Sequence, residues 1–238
     1  MAKIDVSFNN FSRGKIDHDM MGRYDLPLYQ SGADVVENFI TNFKGNAIYR
    51  AGFENLLTFQ DCAFIEFKFN KEQQYICVLY NTKMRFISYA SDGSIGWVES
   101  SPSVILEVVT PYSLAESKEV DFAQKDDVMY LVHENYAPRK LTRVSATSFT
   151  LATYTRTNDP FTSGALYPST IAFYKGRLYF AAPTSKITTV YATVLGSFDD
   201  HTKTPVNDLT ALEFTIAEIS QKIEWLFAGD NSLIAGAS

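Results

Sequence analysis

The sequence is short of the residues from which catalytic and metal centres are built. Its 238 residues hold three histidines and two cysteines. Cys62 and Cys77 form no CxxC pair, which excludes a four-cysteine metal site. Two cysteines in a chain this long make no disulfide framework, so both are expected as reduced, mostly buried thiols. No apolar run approaches the ~20 residues of a membrane helix. Met1 to Asn10 carries no apolar h-region, so no signal peptide is expected there. These absences predict a soluble protein made in a cytoplasm. Basic residues are also in deficit: 21 Lys and Arg face 27 Asp and Glu, giving a net charge of −6. A protein that grips DNA needs a concentrated basic face. Only a short cluster, Arg139, Lys140 and Arg143, offers one. DNA, if met at all, is expected to be tolerated rather than held.

Apolar and aromatic residues are plentiful, with 46% hydrophobic residues, 18 Phe and 14 Tyr. Phe, Tyr and β-branched residues suit a pleated, half-buried surface. Four segments share one pattern of apolar strand, polar turn and apolar strand: residues 67–80, 120–133, 171–182 and 225–235. Aligned on Lys71, Lys125, Lys175 and Gly229, they recur at spacings of 54, 50 and 54 residues. A hairpin repeating near fifty residues is what four-stranded propeller blades predict. Lys175-Gly176 and Gly229-Asp230-Asn231 supply turn residues that tolerate positive φ. Third strands are expected at 84–89, 140–144 and 188–194, and a fourth at 149–154. Val128, Tyr130 and Val132 alternate with Met129, Leu131 and His133, so this strand is apolar on both faces, as in stacked sheets. Residues 209–223 fit both a helix face and a strand. The strand is preferred, because the surroundings are β and Thr210 and Thr215 are poor helix formers.

Candidate chemistry is sparse. His18 lies in Asp17-His18-Asp19 and His201 follows Asp199-Asp200, but no second ligand set stands at a defined spacing. Both are expected as solvated loop residues, and His133 as a hydrogen-bonded core or rim residue. Ser12-Arg13-Gly14-Lys15 spells SxxK without its helix or partner motifs. Asp126-Asp127 and Asp199-Asp200 fall in expected turns. The residues thus point to no catalytic, cofactor-binding or metal-binding site, and to no enzyme.

Two stretches resemble a known family. The first holds Asn10-Phe11, Gly14, Gly22-Arg23-Tyr24-Asp25-Leu26, Tyr29, Gly32, Asn38-Phe39, Gly45, Arg50 and Gly52. The second, and most specific, holds Thr110-Pro111-Tyr112, Gln124, the run from Asp127 to His133, Tyr136, Pro138, Lys140-Leu141 and Arg143. A third piece is Phe173 with the run from Gly176 to Ala181. Together they resemble the N-terminal part of tailed-phage and prophage tail tubular, nozzle-type or stabilisation proteins. Arg50-Ala51-Gly52 and Lys125-Asp126-Asp127 depart from the family's usual Arg-Pro-Gly and Ser-Ala-Asp. The resemblance implies a β-propeller-like body, a homo-oligomeric ring around the tail channel, and contacts with other tail or portal-proximal proteins. DNA would pass without tight binding, and no enzymatic residue is implied. Gly22, Gly32 and Gly45 are expected at turns or close approaches. Arg23 and Asp25 are expected as an ion pair, either across a blade edge or solvated.

The expected fold is therefore all-β, a partial or open propeller-like array of antiparallel blades. Residues 1–60 read as an N-terminal segment, open to being an incomplete blade. Residues 61–238 read as repeated blades, the last one truncated within its second strand. The expected function is a structural virion protein of a phage or prophage tail, located in the virion. The alternative is a propeller binding module for protein or carbohydrate.

Overall fold

The computed structural model describes residues 9–53, 55, 58, 61–90, 93–216 and 221–237. They form an all-β protein of several small antiparallel sheets, whose only helical pieces are short 3-10 turns. Among them no sheet closes into a barrel and no ring of sheets closes. The chain divides into two compact units, Met1–Asn55 and Leu56–Ser238.

The first unit is loop-rich. β1 (Phe39–Thr41) and β2 (Ala47–Tyr49) make its hairpin. Gly32 sits where a Cβ would overlap the Ile16 side chain, so only glycine allows this approach. Arg23 pairs with Asp25 through two bonds of 2.9 and 2.8 Å. Both side chains are exposed, so this is a surface pair of small energetic weight.

The second unit is a series of sheets. Sheet A holds β3 (Ala63–Lys68), β4 (Gln73–Tyr80), β5 (Lys83–Ala90) and β6 (Ile95–Trp97). A small ribbon follows, β7 (Glu99–Ser101) with β8 (Val104–Ile105), and then β9 (Glu107–Val109) pairs with β5. Sheet B holds β10 (Asp121–Lys125), β11 (Val128–His133), β12 (Tyr136–Ser145) and β13 (Ser148–Thr153). Sheet C holds β14 (Thr170–Tyr174), β15 (Arg177–Ala181), β16 (Thr189–Ala192) and β17 (Leu212–Thr215). Sheet D holds β18 (Ile223–Ala228) and β19 (Leu233–Ala237). Sheets B and C are meanders in chain order, each strand pairing with the next. All four repeated hairpins and the strand within 209–223 lie where the sequence places them.

The two-residue period of a strand explains the stacking. On β11, Met129 and Leu131 face Phe67, Cys77, Leu79 and Phe86 of sheet A. Tyr130 and Val132 point the other way, against Ile171, Leu178 and Phe180 of sheet C. On β15 the same alternation turns Tyr179 and Ala181 towards Ile223, Leu226 and Leu233 of sheet D. Each apolar layer is thus shared by two consecutive sheets. Between A and B the packing is aromatic: Phe149 stacks on Phe86 at 4.1 Å and meets Phe67 and Tyr75 edge-on.

The first strands of successive sheets lie side by side, β10 by β14 and β14 by β18. Polar clips join them. Gln124 on β10 accepts from the Lys68 amide (2.9 Å) and donates to the Lys68 carbonyl (2.7 Å). Asp121 accepts from the Thr170 hydroxyl (2.6 Å) and the Ile171 amide (3.0 Å). Thr170 in turn accepts from the Leu226 amide at 3.2 Å. Asp121, Thr170 and Leu226 therefore connect sheets B, C and D. The β14–β15 turn runs through Lys175 and Gly176 at φ +42° and +75°, the left-handed pair that a two-residue hairpin needs. The turn at residues 229–231 does not use the left-handed region its sequence suggests. It closes by the Gly229 amide donating to the Ser232 carbonyl at 2.9 Å.

Candidate functional site

The residues singled out for chemistry are dispersed. His18 is exposed beside Asp17, whose carboxylate accepts from the Asp19 amide. Ser12 and Lys15 lie in a turn and a bridge rather than on a helix. Asp126 takes φ +52° in the β10–β11 turn, and Asp127 pairs with Arg143 at 3.2 Å. Asp200 accepts from the Thr202 amide and hydroxyl. These carboxylates hold turns. No group of three or more His, Cys, Asp or Glu among the described residues is placed to hold a metal ion.

The basic cluster does not survive folding as a cluster. Strand β12 alternates faces, so Arg139 and Arg143 point one way with Leu141, and Lys140 the other. Arg139 donates to the Thr153 hydroxyl at 2.9 Å. Lys140 lies over Tyr130, with Nζ 5.9 Å from the ring centre. Arg143 is mostly buried, stacked on Phe69 at 3.9 Å and bonded to Gln73 and Asp127. Duplex DNA should therefore bind weakly and without sequence preference at about 150 mM salt in a mobility-shift assay. Tight retention there would show a basic surface built from other residues.

No protein-family model matches the chain, and no curated protein matches it. The chemistry of the molecule is read from its own groups.

A groove of about 650 Å³ lies on sheet A, with Asp61, Cys62, Tyr80, Asn81, Arg85 and Trp97 in its wall. Glu107, outside the lining, ties together two of its wall residues, Tyr80 and Arg85. It accepts from Lys83 Nζ (2.6 Å), the Tyr80 hydroxyl (2.6 Å) and Arg85 Nε (3.1 Å). Those bonds, Lys83's first, hold the Glu107 carboxyl down at about 2. Burial, and then the bond to Glu107, push the Tyr80 phenol up to about 12. Burial and Asp61 raise the Cys62 thiol, so no thiolate is generated at neutral pH. Cys77 is a free thiol raised further by complete burial. The groove has an aromatic wall and fixed polar groups, a shape for binding without an activated nucleophile.

His201 is a correction to the solvated loop expected of it: the residue is 2% exposed. It packs against Phe161 (5.6 Å) and Phe180 (5.8 Å). Arg156, whose Nε and Nη2 are held by Asp159 at 2.9 and 2.8 Å, lies close enough to repel its charged form. Burial first, and Arg156 second, push the imidazole down from 6.5 to about 4. The unfolded chain therefore binds a proton that the folded chain refuses in this interval, and stability falls as pH falls through it. Acidification from about pH 7.5 to 4.5 should cost about 2–3 kcal/mol from this group. Urea unfolding of His201→Phe should lose that part of the pH dependence. An unchanged dependence would place the proton uptake elsewhere.

Sequence reasoning missed Arg177, read only as a strand residue. It is buried and donates to the carbonyls of Thr193 (2.5 Å), Thr210 (2.7 Å) and Asp208. His133 is in the core, as expected, at the end of β11.

Proposed function

We propose that this chain is a structural virion protein of a phage or prophage tail, of the nozzle, tail tubular or stabilisation type. Its stacked sheets are read as blades of a partial, open propeller-like array that assembles around a DNA channel. Chain-order meanders, shared apolar layers and first strands lying side by side support the blade reading. Residues of the resemblance support the structural reading, because they fix the scaffold. Gln124 clips β10 to β3 of the neighbouring sheet. The Thr110 amide, donating to the Thr82 carbonyl at 2.8 Å, and the Tyr136 hydroxyl, donating to Glu116 at 2.8 Å, tie loops to sheets A and B.

One observation carries the assembly reading. The face of sheet D turned away from sheet C presents Trp225, Phe227 and Ile234, exposed at 50, 59 and 45%. In sheets A to C the corresponding faces are covered by the next sheet. A bare apolar sheet face of this kind is a protein-contact surface. The partners are other copies of this chain and neighbouring tail proteins. Sedimentation velocity over a wide concentration range should find a discrete oligomer that Phe227→Glu weakens. A single monomeric species at every concentration would count against the proposal.

The aromatic groove on sheet A favours a second reading, a propeller binding module for protein or carbohydrate. A glycan array in which the monomer binds a defined saccharide through Trp97 would favour it over the tail protein.

A further inference from the structure

Strands β10, β14 and β18 begin around one polar cavity of about 410 Å³. Glu119 precedes β10, His133 ends β11 and Glu134 follows it, Ser169 precedes β14, and Lys222 and Glu224 flank the start of β18. His133 is the unusual member. Its side chain is 1% exposed. The Asn135 amide donates to Nδ1 at 3.1 Å, which places the ring hydrogen of the neutral imidazole on Nε2. That Nε2–H is buried and has no hydrogen-bond partner. Glu119 Oε2 stands 3.6 Å away, beyond hydrogen-bond length. Lys222 is engaged by Glu134 at 2.6 Å. A buried donor left without an acceptor is costly, and in native proteins it calls for a partner.

The polarity of the wall selects that partner. An anion would satisfy the imidazole N–H but would meet three carboxylates. An ammonium or guanidinium would suit the carboxylates but has no acceptor for the N–H. A hydroxyl group does both: it accepts from Nε2–H and donates to a carboxylate. We propose that this cavity binds a neutral polyhydroxylated ligand, a sugar ring, with one hydroxyl shared between His133 Nε2 and Glu119. Neighbouring hydroxyls on the same ring meet Glu134, Lys222 and Glu224. The volume falls within the usual range of small-molecule sites. The inference rests on the geometry of sheets B, C and D and does not depend on the tail reading.

Saturation-transfer-difference NMR tests it on the full chain. The probes are glucose, galactose, mannose and N-acetylglucosamine at about 10 mM each, enough to fill most of a site of millimolar Kd. At least one sugar should receive saturation. Both His133→Phe and Glu119→Ala should weaken its binding tenfold or more. Glu119 is a surface side chain, so its variant keeps the test meaningful if His133→Phe fails to fold. The His133 Hε2 signal should also exchange more slowly with the sugar bound. No transfer to any of the four sugars, or transfer that survives Glu119→Ala, overturns the proposal. Spermidine binding that Glu119→Ala abolishes, with no sugar bound, would assign the cavity to cations and also overturn it.

Discussion

Phe180→Ala should lower the unfolding free energy by about 3–5 kcal/mol, the usual cost of emptying a fully buried aromatic site. Phe180 is 0% exposed and lies in the layer shared by sheets B and C. Its ring stands 5.0 Å from Phe161 and 5.8 Å from His201. The Phe161 and His201 backbones are held by their own bonds, to Asp159 and Thr157, so their rings can fill only part of the space. Phe214→Ala is the matched control. Phe214 lies on β17 and is 45% exposed, so its loss should cost about 1 kcal/mol or less. Urea unfolding followed by circular dichroism reads both. Equal losses would mean that the layer between sheets B and C is not a packed core.

Arg177→Met should cost about 2–4 kcal/mol, and Arg177→Lys should recover less than half of that. The guanidinium spreads its donors over three carbonyls at the end of β16 and in the 208–210 loop. Removing it leaves buried acceptors without donors, each worth about 1–3 kcal/mol where water cannot reach. A lysine ammonium is a compact charge that cannot reproduce the planar fork. Hydrogen exchange localises the effect. The Leu195 amide, which donates to Leu209 at 2.9 Å, and the Ala211 amide, which donates to Thr202 at 2.9 Å, should lose protection first. Wild-type stability in Arg177→Lys would show that charge alone, without the fork, holds the loop.

The strand–turn–strand units were legible because their signals are local. Residues two to six apart decide a hairpin, and Lys175-Gly176 carries its turn chemistry on its face. The two-faced burial of β11 was legible for the same reason, since alternation along one strand shows it. What was not legible depends on distant partners. Gln124 and Asp121 look like ordinary polar residues, and only the fold brings Lys68 and Thr170, 56 and 49 positions away, within bonding distance. His201 follows two aspartates and reads as solvated. Its burial is set by Phe161 and Phe180, which no local pattern ties to it. The basic cluster misleads in the opposite sense, because adjacent letters on β12 become opposite faces. The cavity at His133 joins residues from three sheets, and its orphan N–H is a property of the assembled array alone.

Negative-stain electron microscopy of the purified chain at high concentration shows whether it assembles into rings. On the proposed assembly through the Trp225, Phe227 and Ile234 face, discrete rings with a central opening are expected. Phe227→Glu should shift the particles towards single chains. Uniform single-chain particles of the unaltered protein, at every concentration tried, would contradict the account.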